Sequence, residues 1–265
     1  MKCGFIGAGN MAYAIIKAFI EKKVIPSSDI FIFDKNLHRQ NEVCGELGVT
    51  AVVSAAAVAE TCEIVFLAVK PHILEEVLPE VSKTAKNYNP LFITMAAGKT
   101  LAYVQSLLDY DARIVRIMPN INALVSKSVT AFCGNQFVTN YDIAECTKLL
   151  SAIGTALQIE ESKFAAFTAV AGCSPSFVLI FADCLATAGV KMGLGREEAL
   201  SAALMAIQGT AESALTSKTH PRELSDRVCS PGGATIEGVV SLMASGFDTA
   251  VVNAAVAAYN KTIAL

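Results

Sequence analysis

Histidine is scarce in this sequence, and no two cysteines stand at metal-binding spacing. The three histidines, His38, His72 and His220, are far apart, and the eight cysteines contain no C-x-x-C pattern. Zinc sites and redox motifs are normally recognised by such clusters. We therefore predict that the protein binds no metal. We also expect nearly all of its cysteines to be small buried hydrophobic residues in a reducing cytoplasm.

The sequence also lacks a basic cluster and an uninterrupted run near the roughly 18 apolar residues that a membrane span requires. Its formal net charge is -3, and 53% of its residues are hydrophobic. Proteins that bind nucleic acid or anionic membranes carry concentrated positive charge. We therefore expect no nucleic acid and no membrane as partner, and a cytoplasmic location. The hydrophobic excess predicts that the chain buries further surface against a copy of itself.

The most informative stretch is the N-terminal MKCGFIGAGNMA. Cys3 to Ile6 has the apolar pattern of a short strand, and the residues that follow match G-x-G-x-x-[G/A] where a helix begins. In that pattern Gly7 permits the tight turn, Gly9 lets a pyrophosphate approach the backbone, and Ala12 allows close packing of helix and strand. The free N-H groups of the helix favour an anion at the glycines.

The context of this motif indicates a dinucleotide site. A helix with an apolar face follows it, and Ile30 to Phe33 predicts a second strand that ends at Asp34. These elements complete a strand-helix-strand unit, the setting in which the glycine pattern binds dinucleotides. A secretory signal is excluded, because three glycines and Asn10 interrupt the apolar run.

Further strands are predicted to bring their ends to the same place. Apolar runs typical of strands buried in a parallel sheet occur at Glu63 to Val69, Leu91 to Thr94 and Ile114 to Ile117, with a shorter one near Ala51 to Val53. The three longer runs lead into Lys70-Pro71-His72, Ala96-Ala97-Gly98 and Met118-Pro119-Asn120. Residues just past the carboxyl ends of parallel strands line the ligand crevice. We expect these three segments to converge.

The pattern changes near residue 160. Later residues predict only helices, at Phe164 to Gly172, Pro175 to about Gly193 and Arg196 to Thr216. Largely apolar helices of this kind are hard to bury in a small domain without a partner chain. We predict an α/β fold class, with an N-terminal Rossmann-type doubly wound sheet at residues 1-160. Residues 161-265 are predicted to form an all-helical dimerisation and substrate-binding domain.

Within the helical half, the segment Ser230-Pro-Gly-Gly-Ala-Thr235 stands out. It precedes a predicted amphipathic helix with apolar residues at Ile236, Val239, Val240 and Met243. Glycines at a helix N-terminus leave backbone N-H groups bare, and Ser230 and Thr235 add hydroxyl groups. This arrangement suits a carboxylate or a phosphate. A plain loop followed by a helix cap is the other interpretation of the same pattern.

Several motifs occur in order along the chain. They are GFIGAGNMA near the N-terminus, LAVKP at Leu67 to Pro71, AAG at Ala96 to Gly98, RIMPN at Arg116 to Asn120, KMGL at Lys191 to Leu194 and HPRELSDRVCSPGGATIEG at His220 to Gly238. Together they resemble the pyrroline-5-carboxylate reductase family, over nearly the whole chain. The last stretch is the most diagnostic of them.

The resemblance implies an oxidoreductase that acts on a CH-NH bond with NADP(H) or NAD(H) as coenzyme. Family members transfer a hydride to the imine carbon of 1-pyrroline-5-carboxylate and form L-proline, the last step of proline biosynthesis. The resemblance also implies a homodimer or a ring of dimers, with a small-molecule substrate. A protonated cyclic imine is already electrophilic, so the absence of an evident acid-base pair is expected.

The resemblance further implies which residues form the site. Thr235 would be catalytic, through a hydrogen bond to the ring nitrogen. The substrate carboxylate would lie in a loop that often comes from the partner subunit in this family, formed here by Ser230, Gly232, Gly233, Ala234 and Thr235. The coenzyme would lie on Ile6, Gly7, Gly9, Asn10, Met11, Asp34, Lys35, Ala68, Val69, Lys70, Pro71 and Asn120.

Two segments depart from the family pattern. Ile121-Asn122 stands where members usually have Thr-Pro, and Ala171 to Phe177 replaces a segment of the Ser-Gly-Ser-Gly-Pro-Ala-Tyr type. These differences bear on substrate preference and rate. Two alternatives to the proline-forming activity stay open: a reductase of a related cyclic imine carboxylate, and a non-catalytic dinucleotide-binding protein. A serine hydrolase is excluded at Gly172 to Ser176, which lacks the final glycine of G-x-S-x-G.

The choice of coenzyme depends on the residues after the second strand. Asp34 stands near the position where an acid binds the ribose 2'-hydroxyl of NAD and repels a 2'-phosphate. Lys35, Asn36 and Arg39 could instead hold that phosphate. We expect both coenzymes to be used.

Replacement of Asp34 with alanine is expected to raise the affinity for NADPH relative to NADH, because it removes a negative charge that repels the 2'-phosphate. The ratio of the two dissociation constants measures this effect. An unchanged ratio would remove Asp34 from coenzyme choice.

Overall fold

The computed structural model describes residues 1-264. Its first part is an eight-stranded sheet with the strand order β3-β2-β1-β4-β5-β6-β7-β8. The strands are β1 (Cys3–Ile6), β2 (Ile30–Phe33), β3 (Thr50–Ala51), β4 (Ile64–Leu67), β5 (Leu91–Thr94), β6 (Ile114–Met118), β7 (Ser128–Gly134) and β8 (Gly154–Gln158). Neighbouring strands are parallel, except that β7 runs antiparallel to β6.

Helices cover both faces of this sheet. They are α1 (Asn10–Glu21), α2 (Leu37–Leu47), α3 (Ala55–Thr61), α4 (Leu74–Tyr88), α5 (Leu101–Ser106), α6 (Asn140–Ser151) and α7 (Phe164–Phe167). Because side chains alternate along a strand, Phe5 and Phe66 face one layer and Ile6 and Leu67 the other. The first layer contains α1, α2 and α6, and the second contains α3, α4 and α5.

The central strands are apolar throughout because both of their faces are covered. Every residue of β1, β4 and β5 is buried. Phe5 stacks on Phe66 with ring centroids 4.6 Å apart, and Phe19 of α1 meets Phe66 edge-on at 5.9 Å. This aromatic cluster fixes α1 against the centre of the sheet, which sets the position of the glycine turn that precedes it.

The predicted strands β1, β2 and β5 have the predicted bounds, whereas β3, β4 and β6 differ at their ends. Strands β7 and β8 were not predicted. β7 pairs with both β6 and β8 and is largely buried, but it mixes polar with apolar residues; β8 is the edge strand, mostly exposed and without a continuous apolar run. An edge strand needs only one neighbour and one buried face, so its sequence carries a weaker signal.

Only helices follow α7 within the described residues. They are α8 (Ser174–Lys191), α9 (Arg196–Ser217), α10 (Pro221–Val228), α11 (Ala234–Ala244) and α12 (Phe247–Ile263). The predicted helix from Phe164 to Gly172 contains a π-helical turn at Thr168–Gly172. The fold class, a Rossmann-type sheet followed by a helical domain, is therefore confirmed.

The chain divides into two units. The first comprises Met1–Gly172 and the C-terminal residues from Tyr259, and the second comprises Cys173–Ala258. The predicted boundary between residues 160 and 161 remains a prediction. Within the second unit, α8 and α9 pack against each other, and Gly189 admits Ala199 so closely that a Cβ at 189 would lie 2.8 Å from the Ala199 Cβ.

Much of the apolar surface of the second unit is exposed. Leu179 and Ile180 of α8 are 61% and 62% exposed, and none of the residues of α11 is buried. By length and composition, the helical stretch Glu161–Lys191 could cross a membrane, since its most apolar window has a mean hydropathy of 1.8 and is 17% buried. Helices α11 and α12, bent by 51°, pass the same test as a pair.

The absence of an uninterrupted apolar run does not exclude this stretch, which passes the test of length and composition through its mean hydropathy. Polar residues such as Thr168, Ser174 and Ser176 interrupt its apolar side chains. Such a surface fits a subunit interface as well as a lipid environment.

The cysteines follow the prediction in part. All eight are free; Cys3, Cys62, Cys133 and Cys146 are buried, whereas Cys184 is exposed. Burial raises the pKa of the thiols of Cys62, Cys133 and Cys146 to about 12. These thiols stay protonated near neutral pH and are inert packing residues. The expectation that nearly all cysteines are buried is wrong, because Cys44, Cys173 and Cys229 are half-buried and Cys184, on the apolar helix α8, is exposed.

Candidate functional site

The glycine turn joins β1 to α1 and packs directly on the end of β4. Gly7 has a φ of 101°, in a region that favours glycine, and a Cβ there would lie 2.7 Å from the carbonyl oxygen of Ala68. The Gly7 N-H donates to the Phe33 carbonyl at 2.8 Å. Only glycine permits this approach, which closes the turn between the ends of β2 and β4.

Gly9 has a different role. It is the N-cap of α1 with ordinary extended angles, and a Cβ there would have no protein atom within 4 Å. No side chain caps α1, and its first turn carries no acidic residue. The N-H groups of this helix end are therefore free to bind an anion, and the missing Cβ leaves the space that a ligand needs.

A pocket of about 980 Å³ opens at this helix end. Segments that follow β1, β2, β4, β5 and β6 all contribute to it, so the three strand ends expected to converge do so. Of the residues predicted to bind a coenzyme, those that line the pocket are Ile6, Gly7, Gly9, Asn10, Met11, Asp34, Lys35, Ala68, Val69, Lys70 and Pro71. Met95, Ala96, Ala97, Met118 and Pro119 line it from β5 and β6.

The Asp34 carboxylate is held by main-chain donors. Its Oδ2 accepts from the N-H of Ala8 at 2.7 Å, and its Oδ1 accepts from the N-H of Asn36 at 2.8 Å. The N-H of Asp34 donates to Oε1 of the buried Gln40 at 2.8 Å. Asp34 therefore supports the glycine turn in addition to lining the pocket. The sequence predicted that Asp34 lies in the coenzyme site, but not that its carboxylate supports the glycine turn.

Asn120 is the one predicted coenzyme residue that does not line the pocket. It is 6% exposed, and its side chain is bound within the protein. Its Nδ2 donates to the Ala171 carbonyl at 2.9 Å, and its Oδ1 accepts from the N-H of Asn122 at 3.1 Å. Asn120 thus ties the end of β6, next to the pocket residue Pro119, to the π-helical turn at Thr168–Gly172.

An ion pair that sequence reasoning missed supports the same side of the pocket. Arg116 on β6 is 7% exposed, and its Nη1 donates to Oε1 of Glu161 at 2.9 Å. The same oxygen accepts from the N-H of Leu101 at 2.7 Å, and the guanidinium lies 4.6 Å from the ring centroid of Phe164. The hydrogen bond from Leu101 to Glu161 holds the start of α5, which follows the pocket residues Ala96 and Ala97. The sequence signal that could have revealed this ion pair is an arginine inside the otherwise apolar strand β6.

In the second unit, the predicted anion loop lies between α10 and α11. Gly232 has a φ of 67°, and the Gly233 N-H donates to the Ser230 carbonyl at 3.0 Å. A Cβ on Gly233 would clash with the Ser230 hydroxyl oxygen. Gly233 is the N-cap of α11, and no side chain caps this helix. Ser230, Gly232, Ala234 and Thr235 are exposed, so their polar groups are accessible.

The ionisable residues that line the pocket are Asp34, Lys35, Lys70, Glu76 and Glu80. None of them is a histidine, and residues 1-264 contain no group of three side chains suited to hold a metal ion. The pocket offers main-chain donors, apolar walls and a few charges. These are the means to bind and orient two ligands rather than to exchange protons with them.

Comparisons with known proteins agree with this geometry. A curated pyrroline-5-carboxylate reductase of Escherichia coli (strain K12) is 36% identical over 253 residues, 96% of this chain and 94% of that protein. A crystal structure of the 1-pyrroline-5-carboxylate reductase from Streptococcus pyogenes has a TM-score of 0.89 at 34% identity, covering 100% of this chain and 99% of that one. The pyrroline carboxylate reductase of Plasmodium falciparum with NADP bound has a TM-score of 0.88 at 29% identity, covering 100% and 97%.

The doubly wound sheet, the glycine turn and the pocket define a dinucleotide-dependent oxidoreductase. A family model described as "NADP oxidoreductase coenzyme F420-dependent" matches residues 2–98, and one described as "Pyrroline-5-carboxylate reductase dimerisation" matches residues 161–265. The chain belongs to the pyrroline-5-carboxylate reductase family. The predicted family and coenzyme class are thereby confirmed, and the dimerisation match indicates a homo-oligomer.

Replacing each glycine of the turn with alanine is expected to affect a different property, coenzyme binding for Gly9 and stability for Gly7. Gly9→Ala should keep its melting temperature but raise the dissociation constant for NADPH by about tenfold or more, since its methyl group enters ligand space. Gly7→Ala should cost about 1 to 3 kcal/mol of stability, because it strains the turn and meets the Ala68 carbonyl. Thermal unfolding and coenzyme fluorescence titrations measure both effects. Unchanged NADPH binding by Gly9→Ala would place the pyrophosphate elsewhere.

Proposed function

We propose that this protein reduces 1-pyrroline-5-carboxylate to L-proline with NAD(P)H, the last step of proline biosynthesis, at the pocket beside the glycine turn. The activity is that of its family. The observation that carries the assignment is the pocket of about 980 Å³, where an uncapped helix end meets the ends of five strands. Such a site holds a dinucleotide, and its size leaves room for a small second ligand.

The coenzyme pyrophosphate is assigned to the N-terminus of α1, at Gly9, Asn10 and Met11. The lack of a Cβ at Gly9 and the absence of a capping side chain support this placement. The adenosine half is assigned to the segment after β2, with Asp34 and Lys35. The nicotinamide half is assigned to the segments after β5 and β6, on the other side of the strand-order switch.

Ala68 to Pro71 lie between these two halves, at the end of β4. Ile6 lies beneath the turn. Asn120 is assigned a supporting role, because it holds the neighbouring pocket residue Pro119 in place. A bound nicotinamide coenzyme supplies the hydride that the imine carbon accepts, while the protonated ring nitrogen becomes the amine of proline. The chain itself orients the partners and excludes water.

The substrate carboxylate is assigned to the loop Ser230 to Thr235. The bare N-H groups at the start of α11 and the Ser230 hydroxyl suit an anion of that size. Thr235 is assigned a hydrogen bond to the ring nitrogen, which turns the imine face toward the hydride. In the homo-oligomer this loop completes the site from the partner subunit.

Positioning of this kind is sufficient for the chemistry. A protonated imine is already an electrophile, and holding two reactants in register can supply roughly 7 to 11 kcal/mol of the barrier. The pocket accordingly lacks a histidine among its ionisable residues. The catalytic contribution of Thr235 is to fix one orientation of the ring.

We also propose a homodimer, or a ring of dimers, in the cytoplasm, with no membrane or nucleic acid as partner. The match of residues 161–265 to a dimerisation model supports a subunit interface as the role of the exposed apolar helices. Eight free cysteines suit a reducing compartment, and the net charge of -3 opposes nucleic acid binding. The functional division is placed at residues 1-160 and 161-265.

The test of the proposed reaction is the loss of reduced-nicotinamide absorbance when the purified protein meets 1-pyrroline-5-carboxylate. We expect oxidation of NADPH and of NADH with this imine, and little with 1-pyrroline-2-carboxylate as the control. Turnover of the control imine alone would move the activity to the related cyclic imine carboxylates. No oxidation of coenzyme with either imine, while coenzyme binding is intact, would indicate a non-catalytic dinucleotide-binding protein.

The role of Thr235 is tested by two variants. Thr235→Val keeps the shape and removes the hydroxyl, and it should lower kcat/KM for the imine by about 10- to 100-fold. Thr235→Ser keeps the hydroxyl and should remain within about threefold of the wild type. Ser241→Ala, on the same helix, serves as the control and should change nothing. Equal rates for the Val and Ser variants would show that the hydroxyl does not orient the substrate.

A further inference from the structure

The main-chain N-H and carbonyl of Ala8, between the two glycines of the turn, are both held by side chains. Its N-H donates to Oδ2 of Asp34 at 2.7 Å, and its carbonyl accepts from Nε of Arg39 at 2.8 Å. Ala8 itself is fully buried. The N-H belongs to the Gly7-Ala8 peptide and the carbonyl to the Ala8-Gly9 peptide, so each of these two peptides has one polar atom fixed by a side chain and cannot rotate without breaking that hydrogen bond.

A second nitrogen of Arg39 is also engaged, and the guanidinium stacks on an aromatic ring. Its Nη1 donates to Oε2 of Glu42 at 2.7 Å, and its guanidinium carbon lies 5.4 Å from the ring centroid of Tyr13. The side chain is 24% exposed. Arg39 does not line the pocket. Ion pairing and stacking on an aromatic ring both favour this one arrangement of the guanidinium.

The start of α2 fixes the backbone from which Arg39 extends. Asn36 is the N-cap of α2, and its side chain accepts from the N-H of Arg39 at 3.2 Å. Asn36 is in turn tied to Asp34, whose N-H donates to the buried Gln40. Asp34 and Arg39 therefore belong to one hydrogen-bonded unit that faces the glycine turn.

Lys35 differs from Arg39 in each of these respects. It is exposed and lines the pocket, at the end of β2 where the adenosine ribose is assigned. Among the residues that the structure describes, Lys35 forms no ion pair with a carboxylate. Its ammonium group is available to a phosphate.

We propose that Arg39 is a positioning residue that holds the glycine turn through the Ala8 carbonyl, and that Lys35 is the cation that meets the 2'-phosphate of NADPH. This proposal rests on the proposed coenzyme site. It replaces the sequence-based alternative in which Arg39 binds the phosphate directly.

The two roles have different consequences for the two coenzymes. The turn presents its N-H groups to the pyrophosphate, which NADH and NADPH share. A loosened turn therefore weakens the binding of both coenzymes equally. The 2'-phosphate occurs only in NADPH, so loss of its cation weakens that coenzyme alone. The ratio of the two dissociation constants therefore separates a positioning residue from a phosphate ligand.

The experiment is a titration of each variant with NADPH and NADH, followed by nicotinamide fluorescence without any imine. Arg39→Met should raise both dissociation constants by the same factor, roughly five- to tenfold. Lys35→Met should raise the constant for NADPH alone. Lys17→Met removes a positive charge from α1 at a site that pairs with Glu21, and it should leave both constants unchanged.

Arg39→Gln separates the hydrogen bond from the charge, because the amide nitrogen of Gln stands where the Arg Nε stands. A positioning role predicts that this neutral variant keeps both dissociation constants within about threefold of the wild type. If the melting temperature shows that Arg39→Met does not fold, Arg39→Gln alone distinguishes the positioning role from direct phosphate binding.

A loss confined to NADPH in Arg39→Met or Arg39→Gln would overturn the proposal and make Arg39 a phosphate ligand. Unchanged binding of both coenzymes by Arg39→Met would overturn it as well. Because no imine is present, these outcomes are independent of turnover. A wild type that bound neither coenzyme would instead refute the proposed function itself.

Discussion

The close contact between the main chain at Gly7 and the main chain at Ala68 is the constraint on which the site depends. A Cβ at Gly7 would lie 2.7 Å from the Ala68 carbonyl oxygen, so the turn exists only because that atom is absent. β1 pairs with both β2 and β4, with Ile6 opposite Phe33 and Leu67. The turn therefore emerges where the strand order changes direction, and α1 begins above the carboxyl edge of the sheet.

Both proposed ligand sites use the same physical device. In each, a glycine is the N-cap of a helix that no side chain caps, Gly9 before α1 and Gly233 before α11. Bare main-chain N-H groups and the positive end of the helix dipole then meet the anion. This explains how a chain of net charge -3 can accept an anionic coenzyme and an anionic substrate without a basic cluster. Main-chain donors are also fixed in direction, which suits a reaction that needs orientation more than proton transfer.

Local patterns predicted most of the fold and the main lines of the site. The glycine motif, the apolar run of β4 and the helical pattern after residue 160 each reflect a constraint within one element, so a single sequence displays them. The edge strand β8 was missed because it has one partner and mostly exposed residues, and β7 was missed because its sequence mixes polar with apolar residues without a continuous apolar run.

The supporting contacts could not be predicted, because each joins residues far apart in the chain. Asn120 meets the Ala171 carbonyl, and Arg116 meets Glu161, across wide separations in the chain. The sequence places these residues in motifs but says nothing of their partners. The apolar face of α8, which the sequence predicted to need a partner chain, is exposed in the single chain.

The central claim is that this protein carries a hydride from the nicotinamide to the imine carbon of 1-pyrroline-5-carboxylate. The most direct test uses a reduced coenzyme that carries two deuterium atoms at C4 of the nicotinamide, with analysis of the product by NMR. The account predicts L-proline with one deuterium on the ring carbon that is bonded to nitrogen and does not carry the carboxylate. Unlabelled proline, or deuterium on the carbon that carries the carboxylate, would contradict it.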